Sequence, residues 1–395
     1  QYAVWGAWLI SLGAYLGNTL KFDGLQIGSF FATMGIASLF MPAVMGIIAD
    51  RWIPAQRLLG LCHLFAAGFI TLAATRTDYN SLYTLVLLSV MFYMPTIALS
   101  NSVAYNALEK AGLDTVTHFP PIRVWGTVGF ICAMWVVDLG KMGLSATQLY
   151  FSATLGLILG LYSFTLPNCP INRSGGGKSI VDLLGLRAFA LFKQRKMAIF
   201  FIFSMLLGMS LQITNAFADG YIKSFGDTGI HGAKYLGTFG VEHSTILISL
   251  SQISETLCIL LIPFFLKRFG IKRVMLIAMF AWVLRFALLG AGNPGPGVWM
   301  FILSMIVYGV AFDFFNISGS LFVEKETSAA IRSSAQGVFM IMTNGLGALI
   351  GSYLAGWIVN HYGWPLSWYL FAGFSLVVAI VFAVIFKYKH DPNRI

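Results

Sequence analysis

The sequence predicts an all-α membrane protein in which twelve transmembrane helices form two six-helix bundles. Three observations carry this. Of the 395 residues, 58% are hydrophobic and only 10% are charged, whereas soluble globular chains carry about 25% charge. The apolar residues fall into about twelve runs of roughly 20, the length at which a helix crosses a bilayer; a transmembrane barrel would show shorter alternating segments. The most polar connection, residues 167–196, separates the first six runs from the last six.

Taken in order, the runs in the first half are 2–20, 26–49, 58–75, 82–102, 122–139 and 145–166. Those in the second half are 197–222, 244–266, 274–291, 298–323, 334–359 and 366–386. The expected domains are therefore a bundle over 1–166, a linker over 167–196 and a bundle over 197–395. Gly175-Gly176-Gly177 makes the linker flexible, and the basic, partly amphipathic 183–196 stretch predicts a short surface helix. The chain opens on Gln1 and not on Met, so residues ahead of it are expected.

The net charge of +10 does not imply a nucleic-acid partner, because the basic residues occupy loops alternating with spans. On the linker side lie Arg51, Arg57, Lys110, Lys267, Arg268, Lys272, Arg273, Lys325 and Arg332. The linker adds Arg173, Lys178, Arg187, Lys193, Arg195 and Lys196, and the tail adds Lys387, Lys389 and Arg394. The opposite side has only Lys21, Arg76, Lys141, Lys223 and Lys234. The excess of Lys and Arg marks the cytoplasmic side, so linker and both termini are expected there. Cys62, Cys132, Cys169 and Cys258 form no CxxC pair and read as packing residues. Gly175-Gly-Gly-Lys178-Ser179 imitates a phosphate loop, but Asn172 replaces its first glycine and no strand precedes it. With no metal spacing and no nucleophile signature, nothing points to an enzyme, and no cofactor is expected beyond a proton as coupling ion.

Four spans carry polar side chains at helical spacing. Span five has Arg123, Thr127 and Phe130; span seven has Gln212 and Asn215. Span eight places Gln252 and Glu255 on one face near its middle, and span ten has Asp313 and Asn316 flanked by Phe312, Phe314 and Phe315. An ionisable group at that depth costs roughly 2.5–3.5 kcal/mol on insertion scales, so it faces protein or a water-filled path. These faces predict one polar cavity near mid-membrane, where secondary transporters hold substrate. Carboxamides pair donor with acceptor edges, carboxylates accept from hydroxyls, and a phenyl face stacks on a flat ring. That chemistry suits a neutral, planar, hydroxylated solute. The bland readings are interhelical hydrogen bonds for Gln212 and Asn215, packing for Phe130, and an ion pair of Glu255 with Arg285 or Arg123. Arg123, just after Pro120-Pro121, reaches a cavity only if span five begins before those prolines; otherwise it snorkels. Burial favours the protonated carboxyl, so Glu255 and Asp313 are both candidates for carrying a proton.

Two loops repeat between the halves. Gly46-Ile-Ile-Ala-Asp50-Arg51 follows span two, and Lys267-Arg268-Phe-Gly270-Ile-Lys272-Arg273 follows span eight; together they resemble the divided signature of the major facilitator superfamily. Phe119-Pro-Pro-Ile-Arg123-Val-Trp-Gly-Thr127-Val-Gly-Phe130, Leu211-Gln212-Ile-Thr-Asn215, Ser251-Gln252-Ile-Ser-Glu255, Ala311-Phe312-Asp313-Phe-Phe-Asn316 and Arg332-x-Ser-Ala-Gln336-Gly are more specific. They resemble the bacterial nucleoside:proton symporter family, a branch of that superfamily, over nearly the whole chain. The resemblance implies the major facilitator fold and proton-driven import of a nucleoside, uridine-like or purine, across a bacterial inner membrane. In such proteins Arg123, Thr127, Phe130, Gln212, Asn215, Gln252, Glu255, Phe312 and Asp313 would bind substrate. The lipid bilayer is the other implied partner; no nucleic acid and no obligate protein partner are implied. A proton-coupled sugar carrier, or a membrane receptor for the same ligand that does not move it, remain as alternatives.

Overall fold

The structure is a computed structural model that describes residues 1–171, 186–231, 233–328 and 331–388. The glycine stretch 175–177, the first part of the expected 183–196 surface helix, and Arg173, Lys178, Lys389 and Arg394 lie outside those residues.

Every regular element among the described residues is a helix. Nine are long and apolar enough to cross a membrane. The longest, Ser244–Ala291, is interrupted at Gly270, where φ is 76° and ψ is 165°. It is therefore two spans joined by a tight turn, in place of the loop expected between 266 and 274. Counting these separately, and adding the interrupted Tyr2–Thr19 segment and the 17-residue Thr147–Ser163 helix, gives the twelve expected crossings. The backbone at Gly270 lies in a region open essentially to glycine alone. Gly270→Ala is expected to cost about 1–3 kcal/mol, read as a lower melting temperature in detergent; an unchanged melting curve counts against a strained turn.

Several ends differ from those expected. Tyr79–Lys110 runs eight residues past the expected end because its last turns are polar and read as loop. Asp78 caps its start, accepting from the Ser81 amide at 2.8 Å. Those hydrogen bonds hold the Asp78 carboxyl below the usual carboxylate range. Span five begins at Thr115, ahead of Pro120 and Pro121, so Arg123 sits two turns inside a helix. Span one is broken after Gly6, and a buried hydrogen bond from Ser11 Oγ to Gln148 Oε1 (2.7 Å) ties the break to span six. Span eleven widens into a π turn at Ile341–Gly347, between Arg332–Met340 and Ala348–Tyr362. Within the linker, Leu186–Lys193 forms a 3₁₀ helix, anchored by Phe192 on Phe201 at 5.1 Å.

The chain divides into two compact units, Gln1–Phe22 with Ala32–Leu184, and Asp23–Phe31 with Gly185–Ile395. A cut at the linker does not anticipate the grouping of Asp23–Phe31 with the second unit. Its physical basis is visible in the Gly24 amide, which donates to Asn360 Oδ1 at 2.5 Å. In the first unit Ala55–Ala74 packs on Tyr79–Lys110 and Thr147–Ser163, and Leu58, Leu59, Cys62, Leu99 and Val103 fill one core. In the second, Ser244–Ala291 packs on Val298–Glu326 and Leu366–Ile385, around the buried rings of Trp282, Phe286, Phe314 and Trp368. All four cysteines are free; Cys132 is exposed and the other three are buried.

Candidate functional site

The second unit gathers the amides and carboxylates. Gln212 is buried and Asn215 half-buried on Arg195–Ser224, and Asn215 Nδ2 donates to Gln212 Oε1 at 3.3 Å. The pair thus holds itself in register along one face. Gln252 and Glu255 are half-buried. Asp313 is only 5% exposed, and its Oδ2 has no hydrogen-bond partner among the described residues. Asp313 and Glu255 feel one another electrostatically, and Tyr308 feels both.

Spans eight and ten, which carry the two carboxylates, pack closely on one another. Ser254 Oγ donates to the Ile306 carbonyl, and Ser251 Oγ lies 3.1 Å from Met305 Sδ. A Cβ on Gly309 would stand 2.5 Å from the Ser254 carbonyl oxygen and 2.7 Å from Cys258 Sγ. Only a hydrogen side chain permits that approach, and it sits beside Glu255 on one helix and one turn before Asp313 on the other. Gly309→Ala is expected to separate the spans and cost about 1–3 kcal/mol, with nucleoside binding weakened beyond what the melting shift explains. Wild-type binding by this variant counts against a positioning role for the contact.

A small cavity of about 20 Å³ is lined in part by Leu211, Trp282, Phe312, Asn316, Thr343 and Asn344; of the expected site residues, Phe312 alone lines it. Phe312 presents its ring there and stacks on Tyr308 at 5.7 Å and 5°. Two roomier grooves, of about 680 and 630 Å³, are lined almost entirely by apolar side chains and hold no cluster of polar groups.

The first unit holds the other three expected residues. The Arg123 guanidinium lies 4.0 Å over the Tyr2 ring, a cation–π contact that keeps it within the helix packing and not at a snorkelling position. Thr127 is half-buried one turn further on. Phe130 is 7% exposed and meets Trp5 edge-on at 6.4 Å, so its ring is packed and not open in this conformation. The Arg285 guanidinium, in the second unit, donates to the Ser304 carbonyl at 2.6 Å and lies 4.7 Å from the centre of the Tyr308 ring.

A model of the family described as "Nucleoside H+ symporter" matches residues 1–391. The chain belongs to the nucleoside H+ symporter family. The chain is 51% identical to nucleoside permease NupG of Escherichia coli (strain K12), over 99% of this chain and 94% of that protein. It is 50% identical to the xanthosine permease of the same organism, over 100% and 95%. The crystal structure of NupG superposes with a TM-score of 0.91, at 51% identity, over 98% of this chain and 96% of that one. A single-substitution variant of NupG superposes at 0.94, at 50% identity, over 98% and 97%. This nucleoside symporter family member is thus a multi-pass membrane transporter with the major facilitator fold.

Sequence reasoning missed several polar groups of this family member. Thr343 and Asn344 reach the pocket from the π turn of span eleven; such bulges recur at functional sites, and the available sequence signal was Thr343-Asn344 ahead of Gly345 and Gly347. In the first unit, His63 Nε2 lies 2.6 Å from Gln1 Oε1. Gln1 Nε2 donates to Thr96 Oγ1 at 2.7 Å, and Tyr93 donates to the Gln1 carbonyl at 3.2 Å. A histidine in an apolar run was the available signal. Asp219, 1% exposed, is held by Lys223 at 2.7 Å and accepts from Ser244 and Thr245.

Proposed function

We propose that this protein carries a nucleoside and a proton together into the cell, across a bacterial inner membrane, by alternating access, with linker and both termini cytoplasmic. The observation that carries the reading is the buried Asp313 carboxylate, whose Oδ2 has no hydrogen-bond partner among the described residues and which lies within electrostatic reach of Glu255. A buried carboxylate with a second carboxylate in electrostatic reach is disfavoured as an anion, so a proton held by the pair relieves it. That supports the proton as coupling ion.

Substrate contacts are assigned to Arg123, Thr127, Phe130, Gln212, Asn215, Gln252, Glu255, Phe312 and Asp313. The amides of Gln212, Asn215 and Gln252 read base or ribose edges, where each offers both a donor and an acceptor. Phe312 supplies the stacking face, and Glu255 with Asp313 joins ribose recognition to protonation. Phe130 takes part once Trp5 yields its edge. NupG and the xanthosine permease, by their names, move nucleosides, which supports the same substrate class here. Labelled uridine uptake into proteoliposomes is expected to rise with an inward proton gradient and to be competed by nucleosides but not by hexoses. Uptake indifferent to the gradient rejects symport.

A further inference from the structure

Span one opens with residues that the substrate assignment does not use, and other spans of the first unit grip them. Gln1 is fixed from two sides. His63, fully buried on span three, sets Nε2 2.6 Å from Gln1 Oε1, and Gln1 Nε2 donates to Thr96 Oγ1 on span four at 2.7 Å. Tyr93, also on span four, donates from its hydroxyl to the Gln1 carbonyl at 3.2 Å. Further along, Ser152 Oγ of span six donates to the Val4 carbonyl at 2.7 Å. Side chain and backbone of this short run are thus pinned, at a depth where an unmet polar group is costly.

The pinned run meets span five at two points. The Arg123 guanidinium lies 4.0 Å over the Tyr2 ring. Gly6 and Phe130 touch through their backbones, since a Cβ on Gly6 would stand 2.5 Å from the Phe130 carbonyl oxygen. Tyr2 and Gly6 are one turn apart and Arg123 and Phe130 two, so both contacts run along one face of each helix. Gly126 makes room for the first of them. A Cβ there would stand 2.6 Å from Tyr2 Cδ2 and 2.8 Å from Arg123 Nη1, so ring and guanidinium meet over a residue with no side chain. An arginine has about 2 kcal/mol of rotamer freedom to lose, and a ligand that needs it in place bears that cost on binding. Attraction to a ring face holds the guanidinium without using any of its five N–H donors.

We propose that Tyr2 is a positioning residue for substrate binding: its ring, fixed on span one by the Gln1 clamp, presets the Arg123 guanidinium for the nucleoside. This rests on the assignment of Arg123 as a substrate contact above. Nucleobase carbonyls and ribose hydroxyls are acceptors that match the arginine donors. Tyr2 acts through Arg123, so its contribution disappears when the guanidinium is gone.

The test is a double-mutant cycle on uridine binding to the purified protein in detergent, with melting temperatures read on the same samples. Tyr2→Leu is expected to raise the Kd about tenfold, and Tyr2→Phe, which keeps the ring, by less than about twofold. Arg123→Met is expected to weaken binding too, and Tyr2→Leu added to it to change the Kd no further. A wild-type Kd in Tyr2→Leu, or the same factor with and without Arg123 whatever the melting shift, overturns the proposal and leaves Tyr2 a packing residue. Should Tyr2→Leu not fold, Gly126→Ala drives a methyl between ring and guanidinium. It is expected to raise the Kd in the same way, again only while Arg123 is present; a Kd unchanged by it overturns the proposal equally. If Arg123→Met binds uridine as wild type does, the substrate contact itself falls and the proposal with it. An additive cycle with weakened binding in Arg123→Met removes the proposal alone.

Discussion

Glu255→Gln is expected to abolish concentrative uptake while leaving nucleoside exchange intact. The amide matches the protonated carboxyl in shape and can still donate to a ribose or base, so substrate binding survives. It cannot release a proton, so the cycle loses its link to the gradient. One pH unit is worth about 1.4 kcal/mol, or roughly tenfold accumulation of substrate, and that factor is what the variant should lose. The measurements are uridine accumulation under an imposed gradient and counterflow at equal pH. Counterflow near wild type with accumulation at the gradient-free level is the expected pattern. Full accumulation under the gradient would return Glu255 to substrate contact or packing alone, and would pass the coupling role to Asp313.

Lys223→Met should be the most destabilising change of charge in the second unit. Lys223 meets Asp219 at 2.7 Å with side chains only 12% and 1% exposed. Losing one member of such a pair costs about 3–5 kcal/mol, because the other charge stays buried and uncompensated. Ser244 at 2.6 Å and Thr245 at 3.1 Å still donate to Asp219, which places the loss toward the lower end. Adding Asp219→Asn to Lys223→Met removes the stranded charge and is expected to recover most of the melting temperature. If the double variant melts no higher than the single one, the loss came from packing and not from charge.

Much of the fold was legible because a bilayer permits few solutions. A spanning segment must satisfy its own backbone hydrogen bonds, so apolar runs of about 20 residues read directly as helices. Gly270 stood out in its basic turn for the same kind of reason, since its backbone shape excludes other residues. Helix ends were less legible, as at Tyr79–Lys110, because polar turns outside the hydrocarbon carry no hydropathy signal. The π turn at Ile341–Gly347 left no periodic trace at all.

The candidate site shows the same division. Helical spacing alone paired Gln212 with Asn215, and the structure adds the hydrogen bond between them. Spacing could not reveal that Phe130 packs against Trp5, or that the Arg285 guanidinium lies over Tyr308. Those contacts join residues distant in the chain.

The sequence by itself determined that this chain is a helical membrane protein with polar faces on spans five, seven, eight and ten, because hydropathy and helical period are local properties. Only the tertiary structure decided that Gly309 lets Ser254 approach, that the spans carrying Glu255 and Asp313 therefore pack closely, and that Asp219 is answered by Lys223, Ser244 and Thr245. Each of these depends on how closely two helices pack, and packing distance is set by side chains that meet only after the chain has folded.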